Sequence, residues 1–512
     1  MSPVNSLPPE MLTTVFACLA EAGAPPVTET STSVAPRASP REWIPVTHVC
    51  RYWRDSALGF PFIWSPIIFE PQDTANESSL PYKCLQRSLG APLDVQVKCN
   101  GAMDIQVWDK LAARSARLRK LHVQGLLELD QLCHLRHEAP LLQSLHIGVS
   151  PELLDKRWGG EDLPDELPEL FAGCTPALRD LDVSVFTTFS TNRFANLSVL
   201  RLSHQLYRTA SDLRHLLSLL EASPNLEELS LTSCDLDSAD EGLAPTDERL
   251  LPMYRLHRLA FVSCHASIIS SVLSHVELDN DGLALVCKDW MPEDRPITTI
   301  FPSKAASRLH PLQSITALDL NYDGAEVTAT GAHTAVRLVF ENDLDINDSI
   351  APSLGFLFPL HALQSLALAG IELHGAPFWR GLFGAMPVLT KLTFWLPPTD
   401  SEKWLDALCA EGDGPYPVPQ LATLCIFPPY PEIWETVTAV VQTRADDGHP
   451  IRVLNVVMSE TTRDASFRRT FEGLDVAKLE SCVERVVLDV VPRYREELPV
   501  PVPEEHRTFL AQ

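Results

Sequence analysis

The sequence is short of positive charge. Its 512 residues carry 41 Lys plus Arg against 67 Asp plus Glu, a formal charge of −26. A surface that negative repels phosphate backbones and anionic lipid, so neither nucleic acid nor a membrane surface is an expected partner. No run is apolar enough to read as a membrane span. The longest uncharged stretch, the 23 residues Ser349 to Ile371, is broken by Pro352, Pro359, His361 and Gln364. The opening MSPVNSLPPE has no basic segment ahead of an apolar run, so no secretory signal is expected.

Motifs that carry chemistry are missing as well. There is no glycine-rich phosphate loop, dinucleotide fingerprint, nucleophile elbow or His-Glu-x-x-His. Twelve cysteines contain no Cys-x-x-Cys pair, which points to buried thiols in a reducing compartment, cytoplasmic and/or nuclear. Glu277 to Lys288 resembles a calcium loop at Asp279, Asp281 and Gly282. Its twelfth position is Lys288, where a bidentate Glu belongs. His122 and His146 fall at equivalent points of neighbouring repeats and are expected to stack across strands, but two imidazoles without a third ligand make a poor zinc site. No metal, no cofactor and no enzymatic activity are expected.

What the chain does have is a repeat. From residue 118 onward an apolar residue is followed at +3 and +5 by two more. The pattern begins at Leu118-Leu121-Val123 and Leu142-Leu145-Ile147 and ends at Val483-Val486-Leu488. The last two positions lie on one side of a short strand, and one such unit cannot bury its own face, so units must stack. Two long gaps each hide a degenerate unit, with strands expected at Leu283-Leu285 and Val336-Leu338-Phe340. At Leu226 to Cys234 and Leu256 to Cys264 the pattern lengthens to include a Cys packed under the turn. Leu213 to Ala222 and Lys403 to Leu408 have helical spacing. Pro92 to Cys99 alternates and reads as the first strand. Residues between the last two apolar positions, among them His122, His146, Asp182, Arg201 and Ser230, face away from this core. Just after them, Trp395, Phe427 and Val457 mark three late units as a candidate substrate surface. A terminal helix or the Pro-rich tail covering that stripe is the alternative. The acidic run from Asp235 to Glu248 favours a basic partner or is a solvated loop.

The first seventy residues differ. Leu7-Pro8-Pro9-Glu10 opens a helix with Met11, Leu12, Val15, Phe16 and Leu19 on one face. Ala20 to Glu42 is rich in Pro, Ser and Thr and reads as a flexible insertion. A second helical face follows with Val46, Val49, Cys50, Trp53 and Ala57, stopped by Gly59 and Pro61. Phe62 to Phe69 reads as an apolar coda.

On these residues the chain resembles a fungal F-box protein with C-terminal irregular leucine-rich repeats. Leu7-Pro8-Pro9-Glu10 is similar to the opening of the box, and Val49-Cys50-Arg51-Tyr52-Trp53-Arg54 to its V-C-x-x-W-R helix. The resemblance implies an α/β fold, a helical F-box followed by a curved leucine-rich-repeat solenoid with parallel strands. Its bounds would be residues 1–70 for the box with an insertion at about 20–42, 71–91 for a connecting helix, 92–495 for the repeats and 496–512 for a Pro/Glu-rich tail. It implies the substrate-recognition subunit of a Skp1–cullin–F-box ubiquitin ligase. A Skp1-like adaptor, and through it a cullin, would engage the box, and a protein substrate the repeats. By position Leu7, Pro8, Leu12, Phe16, Val49 and Trp53 match adaptor-facing or box-core residues of the family. The alternative is a non-catalytic leucine-rich-repeat scaffold with a degenerate box.

Overall fold

A computed structural model describes residues 7–22, 44–73, 78–99, 103–161, 163–236, 249–290, 300–301, 308–321, 326–340, 353–369, 375–395, 402–411, 415–427, 433–459 and 476–491. The expected insertion from residue 23 onward, the acidic loop from residue 237 and the tail 496–512 lie outside the described residues. The fold is mixed α/β with a mostly parallel sheet. It divides into two compact units at Leu256/His257, inside the span expected to be one repeat domain.

In the first unit seven parallel strands run in chain order: β1 (Pro66–Phe69), β2 (Leu93–Lys98), β3 (Leu118–Leu126), β4 (Ser144–Val149), β5 (Asp180–Ser184), β6 (Val199–Ser203) and β7 (Glu228–Thr232). The +3 position of each repeat lines up with that of the next. One unbroken row joins Ile67, Val95, Leu121, Leu145, Leu181, Leu200 and Leu229, and a second joins Phe69, Val97, Val123, Ile147, Val183, Leu202 and Leu231. All fourteen are buried. Each such side chain contributes roughly 1.5–3 kcal/mol by leaving water, which drives the stacking. The sheet starts earlier than the alternation alone indicated. The apolar coda holds β1, and Leu93–Lys98 is the second strand.

The turns leaving β5, β6 and β7 share one conformation. Val185, His204, Ser233 and, in the second unit, Ser263 stand at one equivalent position with φ between 52° and 69°. The left-handed twist turns the chain so that the next residue (Phe186, Gln205, Cys234 or Cys264) points under the turn, and all four are buried. The Cys264 thiol faces the Val262 carbonyl oxygen at 3.4 Å. The N–H of Val185 donates to Ser203 O and that of His204 to Thr232 O, each at 2.8 Å, so each turn stitches its strand to the next. Between β6 and β7 the expected helix spans Ala210–Glu221. It starts with a reciprocal capping box between Thr209 and Asp212, and it buries Leu213, Leu216 and Leu220.

Among the described residues the second unit places ten strands in the large sheet: β8 (Arg258–Val262), β9 (Leu283–Trp290), β10 (Ile315–Asn321), β11 (Glu326–Gly331), β12 (Thr334–Phe340), β13 (Ser365–Ala369), β14 (Lys391–Trp395), β15 (Thr423–Phe427), β16 (Val453–Ser459) and β17 (Arg485–Val491). Both hidden units are strands, β9 and β12. Their spatial order is not the chain order, because β9 pairs with β12, β12 with β11, β11 with β10 and β10 with β13. Strand β11 is antiparallel to both neighbours. Connection length is the cause. Only residues 322–325 separate β10 from β11 and residues 332–333 separate β11 from β12, whereas a parallel crossover needs about a dozen residues. Gly331 permits the tight approach, since a Cβ there would lie 2.4 Å from Ser314 O. Glu277 to Lys288, the calcium-like span, runs into β9 and is not a closed loop.

The left-handed turn gives a direct test. Ser233→Val adds a β-branched side chain to a backbone that disfavours it and lowers unfolding stability by about 1–2 kcal/mol, while Ser233→Gly leaves it nearly unchanged. The shift in urea midpoint of the full chain reads both.

Candidate functional site

Two surfaces merit description, and the first is the amino-terminal helix pair. Helix α1 (Pro9–Ala22) places prolines where no N–H partner is needed, and it takes in Ala20, Glu21 and Ala22 of the expected insertion. Spacing of four puts Leu12 and Phe16 in one row and Met11 and Val15 in the adjacent row. The first row is buried; in the second, Met11 and Val15 are exposed. Helix α2 (Arg51–Leu58) packs on α1, and the Phe16 and Trp53 rings meet edge to face with centroids 5.5 Å apart. Tyr52 donates its hydroxyl to Leu7 O at 2.7 Å, tying the start of α1 to α2. Trp64 donates its indole N–H to Ala57 O at 2.9 Å, and the Arg87 guanidinium lies over its ring. Packing therefore separates the roles that sequence left merged. Leu12 and Phe16 are core, Trp53 is half-buried against Phe16, Leu7 is half-buried, and Pro8 and Val49 are exposed, Val49 at 60 %. Leu58 and Phe62 join Met11, Val15 and Val49 as large exposed apolar side chains of this segment. Leu58 and Phe62 were absent from the sequence-based set, and only packing tells the 11/15 row from the 12/16 row.

The second surface is the sheet face turned away from the repeat core. In the first unit it is polar. One row joins Gln96, His122, His146, Asp182, Arg201 and Ser230 across β2 to β7. The histidine rings do meet, at 3.9 Å between centroids and 68°. His146 Nδ1 lies 2.7 Å from Asp182 Oδ2. Arg201 bridges Asp180 at 3.1 Å and Glu228 at 2.7 Å, and the Ser144 hydroxyl donates to Asp180 at 3.1 Å. Burial raises the Asp180 pKa. Arg201 and the Ser144 hydrogen bond oppose that rise, and the Asp182 and Glu228 charges add to it. Burial holds the His122 imidazole down at about 3, with His146 pushing the same way and Asp182 opposing. His122 Nε2 and Gln96 Oε1 are buried without a hydrogen-bond partner.

In the second unit the matching face is mixed, with Asp319, Thr393 and Asn455 in one cross-strand row and an apolar part beside β8. Ala260, Ala284, Val286 and Ala335 form a buried apolar cluster there. The candidate stripe is covered in part, which matches the alternative reading of it. Phe427 and Val457 are only 8 % and 9 % exposed, and the Trp395 side chain lies outside the described residues.

Among the described residues no three His, Cys, Asp or Glu side chains are placed to hold a metal ion. Burial pushes the Cys84 and Cys99 thiols up to about 12, which suppresses their thiolates. No described helix is long and apolar enough to cross a membrane. No family model matches the chain, and no curated protein matches its sequence.

The depressed His122 value fixes a sign. Folded His122 stays neutral where an unfolded histidine takes up a proton, so stability falls as pH drops from about 6.5 toward 3. Asp180, whose folded value is raised, works in the opposite direction at acid pH. His122→Gln should therefore flatten the fall in urea midpoint between pH 6.5 and 4. An unaltered slope would show that His122 does not carry this dependence.

Proposed function

We propose that the chain is the substrate-recognition subunit of a Skp1–cullin–F-box type ubiquitin ligase. One observation carries the reading. A two-helix module whose rings already pack internally still leaves Met11, Val15, Val49, Leu58 and Phe62 in water. Apolar surface of that kind on a small helical segment marks a site that another polypeptide covers. The Leu7-Pro8-Pro9-Glu10 opening and the Val49 to Arg54 segment, similar to the F-box, support a Skp1-like adaptor that connects to a cullin as the occupant. The stacked parallel strands behind the module are read as an irregular leucine-rich-repeat solenoid that holds a protein substrate. The chain itself performs no bond chemistry in this reading. It raises the local concentration of substrate beside the ubiquitin-charged enzyme, in the cytoplasm and/or nucleus.

The test targets exposed positions, because changes at Leu12 or Phe16 would unfold the module. Purified full-length chain should co-elute with a Skp1-like adaptor, and Val15→Asp with Phe62→Asp should abolish the complex without changing the circular dichroism. The proposal is lost when the unmodified chain fails to bind, or when the double variant binds equally well.

A further inference from the structure

We infer that residues 498–502 add to the free edge of β17 as an antiparallel strand and close that end of the second unit's sheet. Among the described residues β17 is bonded to β16 alone. The inward Leu454 and Val456 of β16 are fully buried, yet their partners one strand on are not. Val486 is half-buried and Leu488 is 53 % exposed. The first strand of the first unit shows what closure does. There the helix Leu80–Arg87 packs beside β1, Tyr82 meets Phe69 edge to face at 5.6 Å, and Ile67 and Phe69 are buried. A bare apolar edge of seven residues, Arg485–Val491, invites pairing with whatever strand can reach it.

Backbone direction decides what that edge accepts. The Arg485 N–H donates to Arg452 O at 3.0 Å, toward β16. A strand residue aims its N–H and C=O to one side and the next residue aims them to the other. Val486, Leu488 and Val490 therefore offer theirs to the free edge. Residues directly opposite in an antiparallel pair share a face, so a strand bonding to these three must be apolar at the bonding positions. The segment Leu498-Pro499-Val500-Pro501-Val502, followed by Pro503, meets both demands in one register. Leu498, Val500 and Val502 carry the N–H groups and are the positions that fall on the inward face beside Val486 and Leu488. All three prolines then point their nitrogens to solvent, where a missing N–H loses no bond and no further strand can add. Only residues 492–497 separate β17 from this segment, too few for a parallel crossover and enough for a hairpin loop. Leu498, Val500 and Val502 accordingly stand opposite Val490, Leu488 and Val486. The closure needs neither adaptor nor substrate, so it stands apart from the receptor role.

Hydrogen exchange of the full-length chain, read by mass spectrometry on peptides covering residues 485–491, tests it. Val500→Pro removes a donor on the pairing side and should speed exchange of the edge amides about tenfold or more. Pro501→Val alters only the solvent side and should leave exchange within about twofold of the unmodified chain. Position is checked separately by cysteine pairs under oxidised glutathione. Val487→Cys with Pro501→Cys forms a non-hydrogen-bonded pair with Cα atoms about 4.5 Å apart, and a disulfide should link the two within one chain. Val487→Cys with Val500→Cys places the thiols on opposite faces and should stay reduced. The proposal is overturned when Val500→Pro leaves exchange unchanged, or when Pro501→Val speeds it equally. Absence of the 487–501 disulfide, or equally ready formation of the 487–500 one, overturns it too. A 487–501 disulfide that joins two chains on a non-reducing gel assigns the edge to a second copy and likewise removes the proposal.

Discussion

A strand that offers two inward apolar side chains cannot form a core by itself, and that shortage organises both units. Leu200 and Leu202 become interior only because Leu181 and Val183 lie on one side of them and Leu229 and Leu231 on the other. Burial is thus a property of the row. A row requires constant register, and from β5 to β7 a shared turn helps to keep it. The left-handed residues Val185, His204 and Ser233 form that turn, and the buried residue following each fills the space beneath. A shift of one position in any strand would send its leucines to the polar face and its polar residues into the core.

The same logic says which parts of the fold were legible. The +3/+5 spacing reports strand position because side chains alternate with period two, so Leu121 and Val123 identify their face without further information. Strands β9 and β12 were foreseen from Leu283-Leu285 and Val336-Leu338-Phe340 on that basis. Their spatial order was not foreseen, since apolar spacing carries no information about chain direction. The two residues between Gly331 and Thr334 carry it, because a parallel return cannot be made in that length. Strand β11 stayed hidden within Glu326 to Gly331, whose alternation is weak and whose Thr328 and Thr330 are buried polar residues. Strand β1 was overlooked for the opposite reason, as Pro66 to Phe69 is apolar on both faces and shows no alternation.

At the amino terminus the sequence identified which residues belong together and could not say which of them face water. Phe16 and Trp53 were paired through the family resemblance, and the rings are in contact. The division between the Leu12/Phe16 row and the Met11/Val15 row depends on where α2 lands, and nothing in the helical period of α1 encodes that. A continuous apolar face five residues wide is wider than one packed neighbour covers. The excess is the part of the helix left in water, and it is what gives the module a reason to have a partner.

The outward faces make the converse case. Both units bury their leucines by one rule, but the rule leaves alternate positions unconstrained, and the two units use that freedom differently. In the second unit those positions mix Ala260, Ala367, Cys425 and Val487 with Asp319, Thr393 and Asn455, and most of them are buried. In the first they are Gln, His, Asp and Arg, which add nothing to a dry core and cost free energy to hold desolvated. Packing alone accounts for the alanines. In the first unit the polar positions are held by local pairing instead: Arg201 spans Asp180 and Glu228, and His146 faces Asp182.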